Sequence, residues 1–214
     1  FDSISARRVV VANQKLFINK KEGFIGLSLK KDEFISKCST IDNIIIFLED
    51  GRYIVTQIDH KKYIGKNIIH ASVWKKNDKY MIYNLVYKDG LSKISYVKRF
   101  SIISLIKDRF YNITQGNENS KVLYFTENPN SESEVVNIYL HIKSKAKNKN
   151  FDYDFSSLNI KSRKAKGNIL SKYPIRKISQ KTLGESTLGG RDIWIDENIG
   201  RLNTDKRGFY LGSF

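Results

Sequence analysis

The feature that most constrains this chain is a strand–turn–strand signal that returns at nearly constant spacing. It appears in Leu16–Ile25 around Gly23, in Ile44–Val55 around Asp50 and Gly51, and in Ile82–Phe100 around Asp89 and Gly90. It returns in Val122–Leu140 around Asn128–Ser131, and in Ile160–Leu170 around Gly167. Gly90 follows Gly51 by 39 residues, and Asn130 follows Gly90 by 40. A period of this length marks arrays of small sheets, each unable to bury its own faces and therefore stacked on its neighbours as a blade.

The runs flanking the turns are rich in Ile, Val, Tyr and Phe, which suit a pleated backbone packed from the side. The Asp-Gly pairs favour tight reversal because glycine accepts positive φ, and Asn130 can take the same role in its turn. Along Ser95–Phe100 the alternation sets Tyr96 and Lys98 on one face and Val97 and Arg99 on the other. No long segment repeats apolar residues at helical spacing, and Phe100–Ile106 is β-branched and short enough to read as strand. The connectors Tyr63–His70, Tyr111–Leu123 and Gly184–Ile195, each built around glycine, are expected to carry the chain between blades and add a strand to the next. The expected class is all-β, with residues 1–214 forming a single domain.

Charge narrows the function. The 214 residues carry 38 Lys and Arg against 22 acids, a formal net charge of +16. Such a surplus attracts polyanions over long range. An AT-rich genome also inflates Lys, Ile and Asn, so clustering has to separate the two explanations. Between Lys143 and Lys181 there are twelve Lys or Arg and two acids. Lys161, Arg163, Lys164 and Lys166 lead into Gly167, and Lys172, Arg176 and Lys177 follow on the next strand. Lys98 and Arg99 occupy the matching strand of the third repeat, Arg52 follows the second turn, and Lys66 and Arg191 lie in connectors. Repeated around a ring, these twelve residues would form a curved basic track for the phosphates of a bent duplex. Lys143, Lys145, Lys147 and Lys149 alternate with small or polar residues and read as an exposed loop. With no helix to enter a major groove, sequence-specific base reading is not expected.

Signatures of catalysis are missing. His60, His70 and His141 are scattered without ligand spacing. Gly184–Arg191 resembles a phosphate cradle but lacks its Lys-Ser/Thr ending. Asp152 and Asp154 share one face of a strand, which a solvated face explains without catalysis, although the spacing also permits metal capture. Cys38, alone, excludes an internal disulfide and reads as a small buried thiol. No apolar run approaches the length of a membrane span, no signal-peptide pattern opens the chain, and Phe1 is not an initiator methionine. The expectation is a fragment of a longer cytoplasmic, nucleoid-associated protein with no membrane partner.

Taken in order, these runs resemble the C-terminal domain of the A subunit of bacterial type IIA topoisomerases, DNA gyrase and topoisomerase IV. The resemblance rests on Gly23–Gly26, Phe47–Val55, Tyr87–Gly90, Tyr63–His70 and Ser186–Trp194. Ser95–Phe100, Tyr124–Asn130 and Lys166–Ile178 are similar to the topoisomerase IV branch of Bacteroidetes-type bacteria. The resemblance implies a β-pinwheel, a propeller-like disc of about five, or six, four-stranded blades that exchange strands. It implies a basic rim that binds and bends duplex DNA and presents a segment to the catalytic core of its own A subunit. The ATPase B subunit would complete the holoenzyme, which uses ATP and Mg²⁺; this domain would need no cofactor and would not be an enzyme alone. The glycine-rich basic box that supports chiral wrapping in gyrase has no counterpart here, and Gly51 follows Gly23 by only 28 residues. That points to decatenation rather than supercoiling, with a gyrase-type wrapping domain or a propeller-like protein-interaction scaffold as the alternatives.

Overall fold

The computed structural model describes residues 13–29, 32–181, 195–196 and 201–202. The first three strands are β1 (Gln14–Asn19), β2 (Phe24–Gly26) and β3 (Glu33–Cys38). Next come β4 (Asn43–Leu48), β5 (Arg52–Gln57), β6 (Lys62–Tyr63) and β7 (Ile68–Trp74). They are followed by β8 (Ile82–Lys88), β9 (Ser95–Ser101), β10 (Phe110–Asn112) and β11 (Lys121–Asn128). Then come β12 (Val135–Leu140), β13 (Asn150–Asp154), β14 (Ile160–Ser162), β15 (Asn168–Ser171) and β16 (Ile175–Gln180). Two short strands, β17 (Ile195–Asp196) and β18 (Arg201–Leu202), pair with each other. Among the described residues the only helical pieces are single 3-10 turns at Pro129–Ser131 and Phe155–Ser157.

One rule of connection generates the sheets. A hairpin opens each sheet, the chain steps forward to begin the next, then returns one strand to the sheet it left. Sheet one runs β3-β1-β2-β6, sheet two β7-β4-β5-β10, and sheet three β11-β8-β9 with both β14 and β15 on its last edge. Sheet four contains β13-β12-β16. Thus β6, β10 and β14–β15 are return strands, laid down after the next hairpin has formed. This strand exchange is the pinwheel architecture expected from the sequence, and the connectors Tyr63–His70 and Tyr111–Leu123 make it as anticipated. The Gly184–Ile195 connector lies, apart from its last residue, outside the described residues, as does Arg191.

Three expected turns close hairpins: β1–β2 at Gly23, β4–β5 at Gly51 and β8–β9 at Asp89 and Gly90. Gly51 has φ of +90°, the left-handed value that favours glycine. At the third turn the left-handed residue is Lys93, with φ of 59°; Gly90 is required by crowding, since a Cβ there would stand 1.7 Å from the Glu118 carbonyl oxygen. The fourth and fifth expected turns are corrections. Asn128–Ser131 does reverse the chain, with Asn130 at φ of 58°, but it joins sheet three to sheet four instead of closing a hairpin. The fourth hairpin is β12–β13, closed by the lysine-rich loop 141–149. The strands flanking Gly167 both pair with β9, β14 in parallel and β15 antiparallel. Phe100–Ile106 is strand only to Ser101.

Each sheet is buried on the faces that meet its neighbours, and period-two alternation sorts the side chains between them. From β4, Ile44, Ile46 and Leu48 pack with Leu16, Ile18 and Ile25 of sheet one. Ile45 and Phe47 pack the other way, against Tyr83, Leu85 and Tyr87 of sheet three. Val86 and Val97 of sheet three meet Val136, Ile138 and Leu140 of sheet four. Cys38 is a buried free thiol, donating weakly to the Gln14 carbonyl oxygen at 3.6 Å.

Candidate nucleic-acid interface

The two edges of each sheet have different fates. The forward strands of neighbouring sheets draw together, β3 beside β7 and β11 beside β16. The return strands lie at the other edge of each sheet, where β10 and β14 are partly or fully exposed.

Along those edges the structure sets an exposed series of cations. Lys61 and Lys66 flank β6, Lys107 and Arg109 precede β10, and Lys161, Lys164 and Lys166 lie on β14 and the loop after it. Four of these, Lys66, Lys161, Lys164 and Lys166, are among the residues picked from the sequence. Lys61, Lys107 and Arg109 were missed, although the basic residues Lys107 and Arg109 immediately before the aromatic pair Phe110 and Tyr111 mark the start of a return strand. Aromatic rings steady several of them: Lys61 Nζ lies 4.5 Å from the Phe24 ring centroid, and Lys166 Nζ 4.7 Å from that of Tyr96. The hydrogen bond from Lys166, helped by one from Ser92, holds the Tyr96 phenol below its ordinary range.

Other selected residues are engaged elsewhere. Arg52 is exposed but pairs with Asp50 at 2.7 Å and lies 5.4 Å from the Phe110 ring centroid. Lys172 is exposed and directly follows the return strand β15, so it extends the series. Arg176 and Lys177 are exposed on β16, a forward strand, and do not join it. Lys143, Lys145, Lys147 and Lys149 are exposed in the fourth hairpin loop, as expected.

Lys98 and Arg99 are the clear correction. Alternation places them on opposite faces as anticipated, but both faces of sheet three are covered, and they are 1% and 7% exposed. Lys98 Nζ donates to the carbonyl oxygens of Arg163 at 2.8 Å and Ala165 at 2.9 Å. Burial pulls its ammonium down to about 7. Arg99 donates to the carbonyl oxygens of Ser131 and Glu132, tying β9 to the crossing into sheet four. Neither charge is available to a phosphate at the surface. Arg163 is half-buried: its guanidinium stands 4.4 Å from the Tyr111 ring centroid and donates to the Tyr53 hydroxyl at 3.0 Å.

Acidic side chains are used inside or in pairs. Glu127 accepts from Ser72 at 2.7 Å and contacts His70 at 2.9 Å, while Glu134 accepts from Asn84, Tyr124 and Thr126. Asp152 and Asp154 do share the exposed face of β13; Asp152 pairs with Lys181 at 2.6 Å, and Asp154 caps the Ser156 amide at 2.8 Å. Among the described residues no group of His, Cys, Asp and Glu is arranged to hold a metal ion, and no helix is long and apolar enough to cross a membrane.

Residues 15–182 match the family described as topoisomerase C-terminal domain, Bacteroidota. Over 128 residues, 59% of this chain, the sequence is 34% identical to the A subunit of DNA topoisomerase 4 from Borreliella burgdorferi, covering 20% of that protein. The chain therefore matches a fifth of the length of this curated relative. The fold is similar to the crystal structure of the C-terminal domain of DNA topoisomerase IV, with TM-score 0.59 and 14% identity, over 81% of this chain and 62% of that one.

Proposed function

Since the chain belongs to the topoisomerase C-terminal domain family of Bacteroidota, we propose that it is the duplex-binding module of the A subunit of a type IIA topoisomerase. The observation that carries this is the exposed series Lys61, Lys66, Lys107, Arg109, Lys161, Lys164 and Lys166, distributed over the return edges of three successive sheets. Cations on a curved edge neutralise phosphates without reading bases, so binding is tight at low salt, weak at high salt and tolerant of sequence. A duplex that follows the curvature is bent, and the bend is repaid by the additional contacts it allows.

In this reading the domain presents a bent segment to the catalytic core of its own A subunit, in a holoenzyme completed by an ATPase B subunit. ATP, Mg²⁺ and the DNA-cleaving residues belong to those other parts. The role is decatenation and relaxation of topoisomerase IV type, favoured by the absence of a glycine-rich basic box between Gly23 and Gly51.

The test is topoisomer analysis: relaxed nicked circles are incubated with the 214-residue chain, sealed with ligase and resolved on a gel. Binding with no change in linking number is expected. A shift in linking number would mean chiral wrapping and a gyrase-type role. Failure to bind duplex at low salt would remove DNA as the partner and leave a protein-interaction scaffold.

A further inference from the structure

Sheet three differs from the others in the way its return edge is filled. The chain first lies parallel to β9 beside Arg99–Ser101 as β14, then doubles back and lies antiparallel beside Ser95–Val97 as β15. The changeover falls at Lys98. Segment 163–167 therefore leaves the plane of the sheet and crosses toward sheet two as a strap.

The strap is fastened from beneath at every turn. Lys98 holds the carbonyls of Arg163 and Ala165. The Tyr87 hydroxyl donates to the Lys166 carbonyl at 2.8 Å, and Lys166 Nζ covers the Tyr96 ring. Arg163 reaches across the seam to Tyr53 and Tyr111 of sheet two. Three backbone carbonyls thus face inward, while the side chain of Lys164 is exposed.

A lysine inside this seam has no stabilising rationale of its own. Its ammonium loses hydration, and an apolar side chain of similar length would avoid that cost. What it does provide is a pair of hydrogen bonds from the end of one long side chain to a loop lying above the sheet.

We propose that Lys98 is a positioning residue, a buried pin that holds the strap 163–167 across the seam between sheets two and three so that Lys164 and Lys166 meet duplex phosphates at a fixed spacing. The inference rests on the DNA-binding reading above. Without the pin the strap carbonyls turn to water, the strap lifts, and its two lysines lose their set positions although both charges remain.

The test is a salt titration of a short fluorescein-labelled duplex by anisotropy, using the 214-residue chain and four variants. Lys164→Ala/Lys166→Ala should weaken binding about tenfold and lower the salt slope by about two. Lys98→Met should do nearly the same with all surface charge intact, and adding it to the double variant should cost nothing more. Wild-type affinity and slope in a folded Lys98→Met protein would overturn the inference. Should that variant fail to fold, Tyr53→Phe/Tyr87→Phe carries the test, since it removes two tethers of the strap and no cation. A weaker affinity with a lower slope supports the pin, and unchanged binding overturns it. Absence of wild-type binding at low salt would instead sink the DNA reading, and the pin's role with it.

Discussion

The seam between sheets one and two and the seam between sheets two and three are built from opposite faces of the same hairpin, yet they are chemically unlike. The first is aliphatic: Leu16, Ile18, Ile25, Ile44, Ile46, Leu48, Ile54, Ile64 and Ile68. The second is aromatic: Phe47, Tyr53, Trp74, Tyr83, Tyr87, Tyr96 and Phe100. An aliphatic seam closes by shape and has nothing left to satisfy. Buried tyrosines leave hydroxyls that need partners. Burial pushes Tyr53 up to about 12 and raises Tyr83 and Tyr87 as well, so these phenols stay neutral and act as hydrogen-bonding groups. Tyr53 and Tyr87 find their partners in the strap, which is how an aromatic core comes to hold a cationic segment at the surface. The comparison teaches that core composition decides where this fold can anchor charge.

The largest effect should come from breaking the aromatic seam. Phe47 is fully buried and lies 4.4 Å from Phe125, 5.2 Å from Tyr83 and 5.3 Å from Tyr53, centroid to centroid. Phe47→Ala should cost about 3–5 kcal/mol in urea unfolding. Ile46, its neighbour on β4, points into the aliphatic seam, and Ile46→Ala should cost about 2–4 kcal/mol. If Phe47→Ala proves the milder of the two, the aromatic seam is the looser one, and it does not provide the rigid floor that the strap needs.

Much of this architecture is legible in the sequence. Asp50, Gly51, Asp89 and Gly90 announce two hairpins through turn chemistry, and the connectors at Gly65 and Gly116 announce strand exchange. The fourth hairpin was hidden because its loop is lysine-rich and carries no dipeptide that demands positive φ. Asn128–Ser131 misled for a related reason: a turn signal says that the chain reverses, not that the flanking strands pair with each other. Lys98 and Arg99 were misplaced because alternation separates two faces without saying which is wet. In a single sheet on a core one face is usually exposed; in stacked sheets both are covered, and a charged residue on either face is internal. Lys61, Lys107 and Arg109 were missed because the return strands they border, β6 and β10, are two and three residues long, too short to show a period.

The next effect is in the pH dependence of the aromatic seam. Lys98 titrates near 7 in the folded protein because burial disfavours its charge, and near 10.4 when unfolded. Between those values the unfolded chain binds a proton that the folded chain does not. Raising the pH therefore favours the fold, by about 1.4 kcal/mol per unit. The gain should end near pH 10, where tyrosines of the unfolded chain begin to ionise while buried Tyr53 stays protonated, an effect of opposite sign. Urea midpoints from pH 7.5 to 9 should rise for the wild type and stay nearly level for Lys98→Met. Parallel rises in both proteins would mean that the ammonium remains charged in the seam, held by its two carbonyls.

The smallest effect is expected at the aliphatic seam, whose outer margin also carries a cationic latch. Lys62 of β6 reaches Asp108 at 2.7 Å, and Asp108 accepts from Thr56 of β5 at 2.6 Å. The hydrogen bonds from Lys62 and Thr56 hold the Asp108 carboxyl below its ordinary value. Here, however, the two side chains are 36% and 58% exposed, so water and salt screen most of the attraction. Lys62→Met should cost no more than about 1 kcal/mol at neutral pH. Because the folded carboxyl titrates below the unfolded one, that contribution is complete above about pH 4 and is lost as acid protonates Asp108. It should also shrink with added salt, which the Lys98 effect, shielded inside the protein, should not. A loss well above 1 kcal/mol that ignores salt would show that the aliphatic seam depends on its latch as the aromatic seam depends on its strap. The contrast between a seam closed by shape and a seam tied by buried hydrogen bonds would then fail.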